Sequence, residues 1–434
     1  MKKLIVSLLA LVVICVSPLL AQEYESLPSD PYFAAYKPLK APPVEGLLLK
    51  PGDRLAICGD SITEQKMYSR IMETYLTVCV PQLEVTVRQF GWSGEKAPGF
   101  LARMANDVLR FDPTIATTCY AMNDHNYQPY KDEFGQVYRD ASLAIIRAFK
   151  EHGTRVIQGS AGTVGKMPSW VQRALGTVDD LNRSLLEFRN IDVRLAEQEQ
   201  VAFADVFVPM LVQGFEAKRR YGDDYMIAGK DGVHPGWAGH LVMAYAFLRA
   251  MGLDGQIGTI MLDMANGQAT ASEGHRVLSA EAGRVEVESS RYPYCATGPA
   301  DVDSSIRSGM TLVPFNEDLN RFMLLIRNAP AGGCRITWGE ATKSYTAAQL
   351  KAGVNLAADF EVNPFSEAFH RVDEAVAAKQ AYETRQVKTL FHGPEGQADM
   401  DMTATLTEKT RAPLAEAVKA VFVPVRHTIR IEAR

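Results

Sequence analysis

Two rhythms of apolar and polar positions divide this chain. From about 47 to 252, short apolar runs alternate with stretches in which apolar residues recur every three or four positions. The runs at 53–59 (DRLAICG), 83–91, 114–122, 154–161 and 201–207 read as strands. The stretches at 63–80, 97–112, 137–153, 178–200 and 238–252 read as helices. Five strands separated by helices predict βαβ crossovers and a parallel sheet covered on both faces, with active-site groups in the loops beyond the strands' C-terminal ends.

Beyond Gly252 the pattern changes. Runs at 257–263, 283–290, 322–329 and 334–340 read as strands between turn residues, and 346–360 and 364–390 as helical. A helix is expected over about 397–411, with Pro413 opening a separate one. The alternation Val425, His427, Ile429, Ile431 predicts a final half-buried strand. The expected organisation is a signal peptide at 1–21, a Pro-rich lead at 22–46, a catalytic domain at 47–252 and an α+β accessory region at 253–434.

The ends of the strands carry the candidate chemistry. The first strand stops at Gly-Asp-Ser, with Ser61 at a sharp turn. Ser61 reads either as a helix cap, since "SITEQ" resembles a capping box, or as a nucleophile. The second strand ends at Gly91, the third leads to Asn123, and "KDGVHPGW" places Asp231 three residues before His234. His234 suits a general base and Asp231 its orienting carboxylate. Backbone N–H groups of Ser61 and Gly91 and the Asn123 amide suit an oxyanion hole. The order Ser…Asp…His lacks a GxSxG elbow.

These blocks, "GDSIT", Gly91, Asn123-Asp124 and Asp231-x-x-His234, resemble the SGNH (GDSL-like) hydrolase family over about 47–252. The resemblance implies a flavodoxin-like three-layer α/β/α domain with a parallel sheet, Ser61 as nucleophile, Asp231 and His234 as partners, and no cofactor. Ala121 stands where the family's third block usually has glycine, and its methyl is expected to narrow the pocket. Asp60 and Asp124 read as loop-fixing acceptors, and His125 as an exposed loop residue. A metal held by His234 and His240 would need a third ligand, and none is evident.

Trp92, Tyr120 and Trp237 flank the blocks and are candidates for substrate contact, with Trp170, Tyr127 and Tyr130 nearby in sequence. The net charge of -5 gives no basic footprint for nucleic acid. The start, "MKKLIVSLLALVVICVSPLLAQ", has the layout of a secretory signal cut after Ala21, too short for a membrane span. The five cysteines after it are an odd number. The sequence therefore predicts a secreted or periplasmic serine esterase removing short acyl, chiefly acetyl, groups from a small-molecule or polysaccharide ester. The alternatives are a lipid esterase or thioesterase, with "FVPMLVQGF" (207–215) as a lid, and a non-catalytic glycan-binding protein.

Overall fold

The computed structural model describes residues 22–281 and 283–434; the expected signal segment lies outside them. Its first half is one five-stranded parallel sheet, β1 (Arg54–Gly59), β2 (Thr86–Gln89), β3 (Ile115–Cys119), β4 (Arg155–Gly159) and β5 (Ala202–Ala204), in the order β2-β1-β3-β4-β5. Between the strands run α1 (Ser61–Glu64), α2 (Tyr68–Val78), α3 (Ala97–Asp107), α4 (Asp132–Glu151), α5 (Val178–Glu199), α6 (Phe207–Tyr221) and α7 (Trp237–Ala250). Helices α2 and α7 pack together, and α3, α4 and α5 pack in succession, giving the three layers. β3 is buried along its whole length, as a strand covered on both faces must be.

The strand order reverses at β1. The chain leaves β1 for β2 on one side and returns to β3 on the other, opening a crevice beyond the C-terminal ends of β1 and β3. Gly59 pairs with Cys119, so the loops carrying Ser61 and Asn123 step off the sheet side by side.

Three local expectations are corrected. The helix expected over 63–80 breaks at Lys66, whose φ of 59° stops α1 and starts α2 anew. The segment 207–215, read as a lid, is the start of α6, with Phe207, Met210 and Leu211 buried in the core. Pro413 opens no new helix.

It sits inside a long helix of the second half. There, strands β6 (Gln256–Asp263), β7 (Gln268–Ala271), β8 (His275–Glu281) and β9 (Arg284–Ser289) precede short helices α8 (Ile306–Met310) and α9 (Phe315–Asp318). Strands β10 (Arg321–Arg327), β11 (Cys334–Trp338) and β12 (Ala341–Tyr345), helix α10 (Ala347–Ala352), β13 (Val354–Asn355) and α11 (Leu356–Asp359) follow. Helix α12 (Ser366–Arg385) runs into a π-helical turn, Gln386–Phe391, and α13 (Pro394–Ala398), α14 (Met400–Val421) and β14 (Val425–Ala433) end the chain. Pro413 is tolerated in α14 because it and Lys409, whose carbonyl loses its donor, both face solvent. The strands form two sheets, β13-β10-β6-β7 and β12-β11-β14-β9-β8. Trp338 is fully buried in this half, stacked on Phe322 with ring centroids 5.5 Å apart.

The second half closes the open edge of the first. Among the described residues β2 has no strand on its outer side, and charged side chains from α12 and α14 satisfy its backbone instead. Lys379 Nζ and Arg411 Nη2 donate to the Val87 carbonyl at 2.8 and 3.2 Å, and the Gln89 N–H donates to Glu383 Oε2 at 3.2 Å. Glu383 also accepts from Lys379 at 2.6 Å and from Arg411 Nε at 2.7 Å. These charges are buried but paired, which is the condition for burying them.

The lead segment is tied down as well: the Leu39 N–H donates to Asn190 on α5, and Phe33 packs edge-on against Phe215 of α6. All five cysteines of the described residues are free and buried. No described helix is long and apolar enough to cross a membrane.

Candidate active site

Ser61 owes its position to its neighbours. Asp60, not Ser61, caps α1: its Oδ1 accepts the Ile62 N–H at 2.9 Å. Ser61 is then the first helical residue, so its N–H has no acceptor within the helix and its hydroxyl is free to point elsewhere. Gly59 is required just before, since a Cβ there would come within 2.1 Å of Thr63 Oγ1 and 2.8 Å of the Cys119 carbonyl.

The hydroxyl meets His234. Ser61 Oγ lies 2.8 Å from His234 Nε2, and His234 Nδ1 lies 2.7 Å from Asp231 Oδ2. The other Asp231 oxygen accepts the Val233 and His234 N–H groups, both at 2.9 Å, so the turn itself aims the carboxylate at the ring. Burial pushes the Asp231 carboxyl up, but these hydrogen bonds outweigh it and hold it below the usual carboxylate range. An ionised Asp231 only accepts, so Nδ1 carries the proton and Nε2 presents a lone pair to Ser61.

The third strand contributes Asn123. Its Nδ2 donates to the Glu95 carbonyl at 3.0 Å, and its Oδ1 accepts from the Tyr127 hydroxyl at 3.3 Å, which fixes the amide's orientation. Asp124 ties the loop by accepting the Ala97 and Ala121 N–H groups, both at 3.0 Å. Burial raises Asp60 to about 7 and Asp124 to about 6, while it lowers His125 to about 4.

Several expected roles are not met by the geometry. The Gly91 N–H donates to Gln89 Oε1 at 2.5 Å, and Gln89 is held in turn by Thr384 of α12 at 2.7 Å. Gly91 is there for space, since a Cβ would approach the Glu64 nitrogen to 2.2 Å. Three residues on, Gly94 is exposed, has a φ of 74° and has nothing within 4 Å of its Cβ direction. It lies between Ser93, bonded to Glu64 of α1, and Glu95, bonded to Asn123. The Ser-Gly pair at 93–94, just past the end of β2, was the available signal for it.

Tyr120 is 2% exposed, stacked on Phe100 with its hydroxyl on Glu95, so it is core rather than cleft wall. Trp237 carries the Arg70 guanidinium over its ring, and Trp92 packs edge-on against His392 from the second half. The aromatic ring beside His234 is Trp170, at 5.8 Å between centroids, with Tyr127 edge-on to it at 5.9 Å. Ala121 is 1% exposed, so its methyl does not narrow the site; it adopts a φ of 84° instead. His125 is fully buried, not an exposed loop residue. His240 spends its ring nitrogens on the Tyr68 N–H and on Gln65, which leaves nothing for a metal pair with His234.

Residues 57–242 match the GDSL-like Lipase/Acylhydrolase family. They form an SGNH hydrolase domain. This SGNH domain is a carboxylic ester hydrolase by its family. An acetylxylan esterase of Geobacillus stearothermophilus is 24% identical over 224 residues, 47% of this chain and 95% of its own. The structure of a gut microbial diltiazem-metabolizing enzyme covers 89% of this chain and 98% of its own at a TM-score of 0.71 and 20% identity, so the SGNH domain and the second half recur together as one fold. The solved acetylxylan esterase Axe2 from the same Geobacillus covers 48% of this chain and 97% of its own, with a TM-score of 0.40 at 22% identity.

Proposed function

We propose that this protein is a secreted serine esterase that removes short acyl groups, acetyl above all, from carbohydrate. The observation that carries the mechanism is the unbroken line from Ser61 Oγ through the His234 ring to Asp231, at 2.8 and 2.7 Å. Ser61 attacks the ester carbonyl and its proton passes to His234 Nε2. Asp231 stabilises the imidazolium, and His234 then protonates the departing alcohol. Water, deprotonated by His234, hydrolyses the acyl-enzyme and restores Ser61.

The oxyanion is assigned to the Ser61 N–H, the Asn123 amide and, in place of Gly91, the Gly94 N–H. Each such donor is worth roughly 3–4 kcal/mol of barrier. The carbohydrate part of the reading is supported by the Trp170–Tyr127 pair beside His234, whose flat faces suit the apolar face of a sugar ring, and by the acetylxylan esterase relative. Secretion rests on the signal-like layout of residues 1–21.

The test compares p-nitrophenyl esters of two- and eight-carbon acids on residues 22–434, with Ser61→Ala beside the wild type. A preference for the two-carbon ester, abolished in Ser61→Ala, is expected. Preference for the eight-carbon ester would move the reading to lipids, and an active Ser61→Ala would end the assignment of the nucleophile.

A further inference from the structure

A lysine of the second half reaches the helix that carries Ser61. Lys388 projects from the π-helical turn that ends α12, a distortion that re-aims side chains and recurs at functional sites. Its Nζ lies 2.8 Å from both carboxylate oxygens of Glu64. Glu64 is the last residue of α1, one turn after Ser61. The same carboxylate accepts the Ser93 N–H at 2.5 Å and the Ser93 hydroxyl at 2.6 Å, immediately before Gly94. Glu64 is thus the joint between the helix that carries the serine and the glycine loop, and Lys388 holds the joint.

Resting on the esterase reading above, we infer that Lys388 is a positioning residue of the active site, supplied by the second half of the chain. It acts in two ways. It fixes Glu64 and through it the spacing between the Ser61 and Gly94 N–H groups, which must converge on one oxyanion. It also neutralises a carboxylate that is only 20% exposed and one helical turn from where negative charge develops. Burial pushes the Glu64 carboxyl up, but Lys388 and Ser93 together hold it below its ordinary value and therefore ionised. Lys66, the other nearby cation, gives its Nζ to the Glu64 backbone carbonyl rather than to the carboxylate. Lys388 further sits 5.3 Å from the centroid of Trp92, so the same contact braces the residue that follows Gly91.

The experiment measures kcat and KM for p-nitrophenyl acetate on the full chain from residue 22. Lys388→Met is expected to lower kcat about 10- to 100-fold with KM within about threefold, the signature of an interaction lost in the transition state. Lys388→Arg restores kcat to within about threefold of wild type, because a guanidinium can bridge the same two oxygens. In a Glu64→Gln background, with no charge left to neutralise, Lys388→Met costs less than it does alone. If Lys388→Met does not fold, Lys388→Gln, which keeps a donor without the charge, carries the same expectation with a smaller loss. A kcat within twofold of wild type for Lys388→Met or Lys388→Gln, or a loss that Lys388→Arg fails to restore, overturns the inference while an inactive Ser61→Ala keeps the esterase reading. A fully active Ser61→Ala overturns that reading and the inference with it.

Discussion

Trp170 and His234 stand with ring centroids 5.8 Å apart, although one lies in the loop after β4 and the other in the turn before α7. Trp170 is 46% exposed, with Tyr127 edge-on to it, so it offers a ring face beside the proposed base without being part of the core. Trp170→Ala should therefore fold normally. On an acetylated xylo-oligosaccharide its KM should rise about tenfold, equal to ~1.4 kcal/mol of lost contact, while hydrolysis of p-nitrophenyl acetate stays within about twofold. Equal losses on both substrates would show that Trp170 supports the catalytic groups rather than the sugar.

The two glycines of the second block should separate in a stability measurement. A Cβ at Gly91 would run into backbone of α1, which cannot move without carrying Ser61, and Gly91→Ala should cost about 3 kcal/mol or more. Gly94→Ala meets open space and pays only for its left-handed backbone, about 1–2 kcal/mol. Urea denaturation midpoints rank the two, and the reverse order would contradict the roles assigned to them.

Acid should loosen the second half. Trp338 Nε1 donates to His427 Nδ1 at 3.1 Å, His427 Nε2 donates to Ser289 Oγ at 2.9 Å, Ser289 donates to His275 Nδ1 at 2.8 Å, and His275 Nε2 donates to the Ile257 carbonyl at 2.9 Å. Every proton in this buried chain has one place, which requires both imidazoles to be neutral. Burial lowers His427 from its ordinary 6.5 to about 3. In the unfolded chain it takes a proton below 6.5, whereas in the folded one it does not until about 3. Its contribution is therefore complete above pH 6.5 and is lost as pH falls toward 3, on the order of 5 kcal/mol in all. Urea unfolding at pH 7.5 and 4.5 checks this. His427→Gln, less stable at pH 7.5, should lose less than wild type on acidification; an equal loss would place the acid sensitivity elsewhere.

How much of this was legible follows from how local each signal is. The five parallel strands announced themselves through short apolar runs, and the contact of Asp231 with His234 through a three-residue spacing within one turn. The break at Lys66 was hidden because a left-handed φ at a lysine leaves no compositional mark. Pro413 misled because its tolerance depends on Lys409 facing water, a property of the assembled helix. Tyr120 looked like a cleft residue because it follows β3 directly, yet the Glu95 carboxylate draws its hydroxyl into the core. Gly91 looked like the donor because the strand ends there, and only the Gln89 side chain folding back on it shows otherwise. Lys388 lies 324 residues from Glu64 in the chain, and no pattern in sequence joins them.

The covered edge of β2 has a consequence for how this protein can be taken apart. A parallel sheet of this order ordinarily ends on one side in a bare strand, a template for pairing with any other chain. Here the role of a sixth strand is filled by three charged side chains that reach across from helices nearly three hundred residues later. The boundary near residue 252 is thus a seam in the covalent chain but not in the architecture. Any shortened or recombined version of the SGNH domain inherits a Val87 carbonyl and a Gln89 N–H in search of partners, and must bring its own cation and its own carboxylate to meet them.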